Sequence, residues 1–554
     1  MNMYRLLSER PQGAPRLSML LAAQSLAGLA GAGLVAILTQ AAHAVEQQGK
    51  ALSLVALTAL TLFMFLFSQR YAMRCTALRV ERSIHNVRVR VVDKLTRIDL
   101  QTYEQIGEKN LMACVEKDIK TMSNACTAII ASGQSVMLFV CAAAYLAWLS
   151  LPAFLLTAGV IVFGVALNFI RMRAIFNATE QALQSENSLS GLTSHIIRGF
   201  KELKLHQKRR REVYEELVEA SDQTASLNQK AFGLATDHMI MLQSILYILI
   251  GLVIFVLPMA GQMQTLLQVQ VIAVILFLNG PLSQFIGILP MYAQANAAAK
   301  SIGELEQQLD AAANRDPDLP DAVIEPMRSI ELKDVRFAYE ANEGPTFEIA
   351  PLNLLIFQGE VIFVTGGNGS GKSTFLKLLT GLRFASHGDV LLNGERVNKP
   401  EKVAGYRGLF SAIFADYHLF TKLYGTEVPH RSLISEQLSR LALDGKVRLD
   451  GRIFTPLNLS TGQRKRLAHL VTLLEDRQIY IFDEWAADQD PHFRSWFYRE
   501  ELPRLKALGK TIIAVTHDEQ YFEHADRWFH FEEGRCEERF FKSAVPVRLF
   551  PEHA

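Results

Sequence analysis

The sequence has almost no net charge: Lys and Arg total 57 against 56 Asp and Glu, a formal balance of +1. Such a chain presents no global field for capturing a polyanion, so nucleic-acid binding drops out as a role. Cysteine is scarce. Cys75, Cys114, Cys126, Cys141 and Cys536 show neither paired spacing nor clustering with histidine, which argues against a disulfide frame or a zinc site and leaves them as small apolar residues. Ionisable side chains are missing from the centres of the long apolar runs, with Asp237 only at an edge, so a proton- or ion-coupled relay has no support.

What is present divides the chain in two. A mean hydropathy of +0.13 averages a strongly apolar first half over a polar second half, and 554 residues exceed one ordinary core. Apolar runs lie near residues 18–42, 52–68, 125–148, 153–170, 239–257 and 269–289. The first run follows Arg5, Arg10 and Arg16, and Ala42-His43-Ala44 mimics a cleavage site. It is nonetheless about the ~20 residues that cross a bilayer and further runs follow it, so six membrane spans are expected rather than a leader. The stretches after the second and fourth runs are long and basic, including Arg70, Arg79, Arg88 and Lys94, then Arg171, Arg198, Lys208 and Arg211; those after the first, third and fifth are nearly free of Lys and Arg. Positive charge stays inside, which places both long loops and both termini in the cytoplasm. Apolar spacing at Leu78, Ile84, Val87, Val91 and Leu95, and again at Leu192, Ile196, Phe200 and Leu203, predicts that membrane helices continue into the cytosol.

A proline-punctuated acidic linker is expected over 311–328, between a membrane domain over 1–310 and a soluble domain over 329–554. In the latter, the apolar run Val361 to Val364 reads as a buried strand and leads into Gly366-Gly367-Asn368-Gly369-Ser370-Gly371-Lys372-Ser373-Thr374. Glycines let successive backbone N–H groups turn inward on a phosphate chain, and the helix starting near Lys372 adds the positive end of its dipole. Lys372 would neutralise β- and γ-phosphate oxygens, Ser373 offers a hydroxyl to Mg²⁺, and Thr374 can add a phosphate contact.

Three further stretches follow in order: Leu459-Ser460-Thr461-Gly462-Gln463 before a leucine-rich helix, Ile479 to Glu484, and Thr511 to Asp518. An apolar strand ending in Asp483 can present a carboxylate to the metal shell, Glu484 can polarise an attacking water as general base, and His517 can hold the γ-phosphate and that water. Singly, each has a dull alternative: Asp483-Glu484 as a helix N-terminal charge pair, His517 as a hydrogen-bonded core histidine, Ser460 as an N-cap. Their order downstream of a phosphate loop points to the joint catalytic reading.

With these motifs quoted, the chain resembles the ATP-binding cassette (ABC) exporters. The resemblance implies an all-α transmembrane domain of six helices followed by an α/β P-loop NTPase domain with a helical subdomain, acting as a Mg²⁺-dependent ATP hydrolase coupled to transport in a bacterial inner membrane. It further implies that Tyr339 stacks on adenine, that Ser460, Gly462 and Gln463 belong to a signature closing over the γ-phosphate of the opposing subunit, that Asp490 joins the two sites, and that the working unit is a homodimer. Short helices pressing on the cassettes would fall near Leu100 to Gly107 and Leu203 to Arg210. Three departures stand out: Ala415 where a Gln is usual, with Asp416 able to substitute through its carboxylate; Trp485 for a proline; Thr461 for a glycine. With the stretches DEWAADQDPHFRSWFY and THDEQYFEHADR, these are similar to the bacterial cyclic-peptide exporters, a group that includes exporters of syringomycin, of a lasso-peptide microcin and of the pyoverdine precursor. That likeness implies a cyclic peptide, lipopeptide or siderophore-precursor cargo. Export of a lipid or hydrophobic drug is the alternative within transport, and an ATP-regulated channel or sensor the alternative outside it.

Polar residues inside the spans, Gln134, Gln243, Tyr247, Asn279 and Gln284, mark either helix-to-helix hydrogen bonds or a cargo path, because an unpaired amide facing lipid is costly. Pro281 is expected to kink the sixth span.

Overall fold

The computed structural model describes residues 13, 15–45, 51–259, 265–313, 325–339, 347–397, 400–428, 430–456 and 458–540. The N-terminal part is helical: α1 (Leu17–Val45), α2 (Ala51–Leu95), α3 (Leu100–Ile106), α4 (Glu108–Met112), α5 (Ile119–Leu149), α6 (Leu151–Arg198), α7 (Phe200–Leu205), α8 (Gln207–Met259) and α9 (Thr265–Ala313), with a π turn over Ala113–Asp118 leading into α5. By packing, the chain forms two compact units, Met1–Val92 with Lys109–Glu306, and Asp93–Glu108 with Gln307–Ala554. Of the expected linker, α9 takes up residues to Ala313, and 314–324 lie outside the described residues, as do Arg5 and Arg10.

In the first unit, 6 helices among the described residues are long and apolar enough to cross a membrane. The 53 residues of α8 rise ~80 Å at ~1.5 Å each, against a hydrocarbon layer of ~30 Å, so the helix runs well beyond the lipid. α6 packs along α8 and α1 along α5. At the latter crossing a Cβ on Gly28 would lie 2.9 Å from the Gln134 carbonyl oxygen, an approach only glycine permits. Leu146, Val253, Val271 and Val274 are fully enclosed, whereas Phe63, Phe67, Ile170 and Phe255 stand exposed, as suits helices whose outer faces meet lipid tails. Gln284 accepts a hydrogen bond from Ser135 and so acts between helices, while α9 continues as one helix through Pro281. Arg90 and Glu306 form an ion pair at 2.7 Å.

The second unit is built on two sheets. β1 (Ser329–Ala338), β2 (Glu348–Phe357), β4 (His387–Leu392) and β5 (Glu395–Arg396) make an antiparallel sheet in the order β2-β1-β4-β5. β3 (Val361–Gly366), β6 (Phe410–Ile413), β9 (Ile479–Asp483), β10 (Thr511–Val515), β11 (Arg527–Glu532) and β12 (Arg535–Phe540) form the other, in the order β12-β11-β3-β10-β9-β6. All its pairings are parallel except the last hairpin, β11 with β12. β3, β9 and β10 are buried at every position, as apolar runs in a parallel sheet must be when both faces are covered. Alternation along these strands divides the core: Ile362, Val364, Ile481 and Ile513 face one cluster, Phe363, Tyr480, Phe482 and Ile512 the other.

Helix α10 (Lys372–Leu379) follows β3, and α11 (Pro400–Arg407) precedes β6. A helical subdomain of α12 (Arg431–Arg440) and α13 (Thr461–Glu475), with the hairpin β7 (Arg448–Asp450) and β8 (Ile453–Thr455), closes over Leu438, Leu441, Phe454, Leu467 and Leu470. After β9 come α14 (Pro491–Trp496) and α15 (Leu502–Ala507). α3 falls at the first expected tip, begun by Asp99, whose Oδ1 accepts from Thr102 N, and ended at Gly107 with φ 80°. The second tip is α7, and the helix expected to reach Arg210 instead breaks at His206, which adopts extended backbone before α8 begins.

Candidate active site

The parallel strands bring their carboxyl ends to one edge. Val515 lies opposite both Val364 and Asp483, so the loops after β3, β9 and β10 leave the sheet at one level. Ligands bind at such edges because loops and helix N-termini converge there.

The loop after β3 needs its glycines. Gly366, Gly369 and Gly371 have φ of 137°, 77° and 108°, and a Cβ on Gly366 would sit 2.1 Å from the Phe531 carbonyl oxygen. The resulting concavity is shaped for a phosphate chain. Gly367 and Asn368 form its rim, and Lys372 curls back so that Nζ donates to the carbonyls of Gly366 (2.8 Å) and Gly367 (2.9 Å). Ser370 is buried with its hydroxyl unpartnered, Ser373 is exposed, and Thr374 Oγ1 lies 3.1 Å from the Tyr339 hydroxyl. The Tyr339 ring carries the Arg383 guanidinium 4.6 Å from its centroid.

Asp483, at the end of β9, is buried and accepts from Ala415 N at 3.3 Å. Burial, reinforced by the neighbouring charge of Glu484 and opposed by that N–H and by Lys372, pushes its carboxyl above the ordinary value. Asp416 is exposed and close enough to act on the same carboxyl. Ser373, Asp483 and Asp416 are all oxygen donors, the ligand type that a hard divalent cation takes.

Glu484 is held in a left-handed conformation, φ 50° and ψ 36°, which is costly for a residue with a side chain. Its N–H donates to the Val515 carbonyl and its own carbonyl accepts from Lys465 Nζ at 2.7 Å. The carboxylate is thereby turned toward His517, with Oε1 3.6 Å from Nε2. Thr516 N donates to Val364 O, which fixes the His517 strand end against β3.

Ser460 is the N-cap of α13: its Oγ accepts from Gln463 N at 3.4 Å while Gln463 Oε1 accepts from Ser460 N at 3.1 Å. Asp490 caps α14, accepting from Phe493 N at 3.0 Å. Gly462 packs on the segment after Glu484, where a Cβ would lie 2.9 Å from the Asp488 carbonyl and Gln489 Nε2 donates to Gly462 O. The structure thus gathers Lys372, Asp416, Asp483, Glu484 and His517 at the sheet edge. The side chains of Ser460, Gln463 and Asp490 instead cap helices.

Sequence reasoning missed Lys465. It sits in the basic run Arg464 to Arg466, yet it is buried and also meets Asp488 Oδ2 at 2.8 Å. Trp485 adds a second tie through Nε1 to the Lys465 carbonyl, 3.0 Å. Also missed was Glu104 on α3, which receives Lys377 at 3.0 Å and the guanidinium of Arg383.

Sheet, phosphate loop and paired acid and histidine define a nucleotide-hydrolysing domain fused to membrane helices. Residues 349–487 match the family model described as ABC transporter, and residues 20–283 match the ABC transporter transmembrane region. The ATP-binding protein SyrD of Pseudomonas syringae pv. syringae is 32% identical over 92% of this chain and 91% of its own length. A macrolide export ATP-binding/permease protein, MacB of Escherichia coli (strain K12), is 30% identical over 37% of this chain and 33% of its own. Among solved structures, a bacterial Atm1-family ABC exporter with ATP bound superposes with a TM-score of 0.73 at 17% identity, covering 95% of each chain, a likeness of fold. The chain belongs to the ABC transporter family as an exporter: a multi-pass membrane protein whose cytoplasmic ATPase domain couples ATP hydrolysis to transport.

Proposed function

We propose that two copies of this chain form a homodimer that moves a cyclic peptide, lipopeptide or siderophore-precursor peptide from cytoplasm to periplasm. The phosphate loop, Gly366 to Thr374, cradles the ATP phosphates with Lys372 against the β- and γ-oxygens, and the base packs on Tyr339. Ser373 and Asp483, with Asp416 beside them, would hold Mg²⁺, which would supply charge neutralisation at the transferring phosphoryl group. Glu484 draws the proton from the attacking water, and His517 keeps water and γ-phosphate in line. Ser460, Gly462 and Gln463 serve the site of the opposing copy, with Asp490 in the segment between the two sites. In support of this division, these residues lie at helix starts away from their own phosphate loop's bonding network, and the described residues hold six candidate spans beside one cassette.

The observation that carries the catalytic assignment is the Glu484–His517 approach of 3.6 Å at the edge where the phosphate loop emerges. The peptide cargo rests on the similarity of the segments Asp483 to Tyr498 and Thr516 to Arg527 to the cyclic-peptide exporters. For the base, Glu484→Gln is expected to bind ATP normally and lower turnover at least about a hundredfold, the scale of general-base loss; wild-type turnover in that variant removes Glu484 from the role. For the cargo, secreted peptide profiles of a parent and a deletion strain should differ, and identical profiles count against a peptide.

A further inference from the structure

His517 lies just past the end of β10, and its side chain is 53% exposed where it approaches Glu484. A side chain that open is aimed by its backbone, so the hold on residues 516 to 518 decides where the imidazole stands. Two backbone bonds contribute: Thr516 N donates to Val364 O at 3.0 Å, and Glu519 N to the His517 carbonyl at 3.1 Å. The neighbouring side chains add a second set of ties. Thr516 Oγ1 lies 2.6 Å from the Tyr498 hydroxyl, that hydroxyl donates to Asp518 Oδ2 at 3.1 Å, and Asp518 N donates to Thr516 Oγ1 at 3.0 Å.

The protons of this circuit can be placed. Tyr498 has one hydroxyl proton and gives it to the carboxylate, so it accepts from Thr516, whose oxygen in turn accepts the Asp518 N–H. Burial pushes the Tyr498 hydroxyl above its ordinary value, which keeps that proton in place at neutral pH. Every donor is used, and the circuit closes across the two neighbours of His517. A buried polar network satisfied in this way rigidifies what it joins.

Tyr498 is itself firmly seated. Its ring is fully buried, stacks on Tyr521 with centroids 4.4 Å apart and meets Phe363 edge-on at 5.7 Å. It projects from a π turn over Phe497–Glu501, between α14 and α15, and single-turn π segments recur at functional sites. The other oxygen of Asp518 lies 3.3 Å from Arg494 Nη1, while Arg494 Nη2 donates to Ala487 O at 3.2 Å. One guanidinium thus joins the histidine turn to the segment that follows Glu484.

We infer that Tyr498 is a positioning residue for ATP hydrolysis: its hydroxyl holds the turn from Thr516 to Asp518 so that His517 faces Glu484 and the γ-phosphate. The inference rests on the assignment of His517 above and adds the group that aims it.

Tyr498→Phe removes one oxygen and leaves the ring filling the same space, and the test uses the full-length protein in lipid nanodiscs. Steady-state phosphate release should fall about tenfold, the scale of one hydrogen bond, while ATP affinity by equilibrium titration stays within about twofold. Inhibition by orthovanadate, which mimics the transferring phosphoryl group, should weaken by the same factor as kcat. Thr516→Val should copy Tyr498→Phe and Thr516→Ser, which keeps the hydroxyl, should match the wild type; this pair carries the test if the tyrosine variant does not fold. In a His517→Ala background Tyr498→Phe should cost nothing further. Wild-type kcat in Tyr498→Phe, equal rates in the two Thr516 variants, a further tenfold loss beyond His517→Ala, or a joint fall of kcat, ATP affinity and melting temperature would each overturn the inference. Wild-type turnover in His517→Ala defeats the assignment of the histidine itself, whereas a slow His517→Ala beside an unaffected Tyr498→Phe defeats only the role of the tyrosine.

Discussion

Replacing Lys465 by methionine removes one ammonium group and keeps the volume of a buried side chain. That ammonium makes two contacts, 2.7 Å to the Glu484 carbonyl and 2.8 Å to the Asp488 carboxylate. Asp488 is half exposed and water can replace its partner, so the second contact is worth little. The first one matters more. It holds the carbonyl of a non-glycine residue at φ 50°, a conformation that costs ~1–2 kcal/mol to occupy, and a hydrogen bond from a charged donor contributes ~1.5–3 kcal/mol. Without it the Glu484 backbone should relax toward ordinary angles and its carboxylate swing from the water that the proposed mechanism has it polarise. At ~1.36 kcal/mol per tenfold, kcat should fall ~10–100-fold. Lys465 touches no phosphate-loop atom, so ATP affinity measured by equilibrium titration should stay within about twofold. Steady-state phosphate release from the purified variant in nanodiscs reads kcat, and nucleotide titration the affinity. A kcat equal to wild type would refute the positioning argument, and a parallel collapse of affinity and melting temperature would show a structural role alone.

Glu501 is fully buried and receives His469 at 3.2 Å, Arg440 at 2.8 Å and Arg504 at 2.7 Å. Burial alone would raise its pKa, but the hydrogen bonds from His469 and Arg504 outweigh that and hold it well below the ordinary glutamate value. The sign follows: the folded carboxylate binds its proton more weakly than the unfolded one, so this stability is complete above the ~4.3 of an unfolded glutamate and drains as pH falls below it. Thermal unfolding of the wild type should therefore lose several degrees on acidification below about that value, whereas Glu501→Gln should start ~3 kcal/mol less stable at neutral pH and show a shallower acid slope. An unchanged slope in the variant would assign the acid sensitivity elsewhere. At α3, Glu104→Lys places a cation against Lys377 and Arg383; cargo-stimulated ATPase should drop severalfold with basal turnover retained, and Arg383→Glu in the same chain should restore part of it. No restoration would mean that the charge pairing is incidental.

Much of this site is legible in the residues. Val361 to Val364, Ile479 to Phe482 and Thr511 to Val515 are apolar at consecutive positions, and only a strand covered on both faces uses such a run, so the strand ends and the acids and histidine after them could be placed. α3 announces itself by Asp99 and Gly107, a cap and a stop. Lys465 does not, because Arg464-Lys465-Arg466 carries no sign of which cation turns inward; that depends on Trp485 and Phe482 closing over the same face of α13. Likewise Gln243, Asn279 and Gln284 are alike as intramembrane amides, and only the packing of α5 against α9 gives one of them a serine. The helix expected to continue to Arg210 breaks at His206, a residue with no strong preference for stopping a helix.

Arg383 is placed as a lever. Its flat face lies on Tyr339 and its edge is gripped by Glu104, so a single planar group touches the aromatic ring at the mouth of the phosphate loop and a carboxylate on the tip helix α3. A planar group cannot be tilted at one side and stay still at the other. A ligand that displaced that tyrosine would therefore press on the same guanidinium that Glu104 holds.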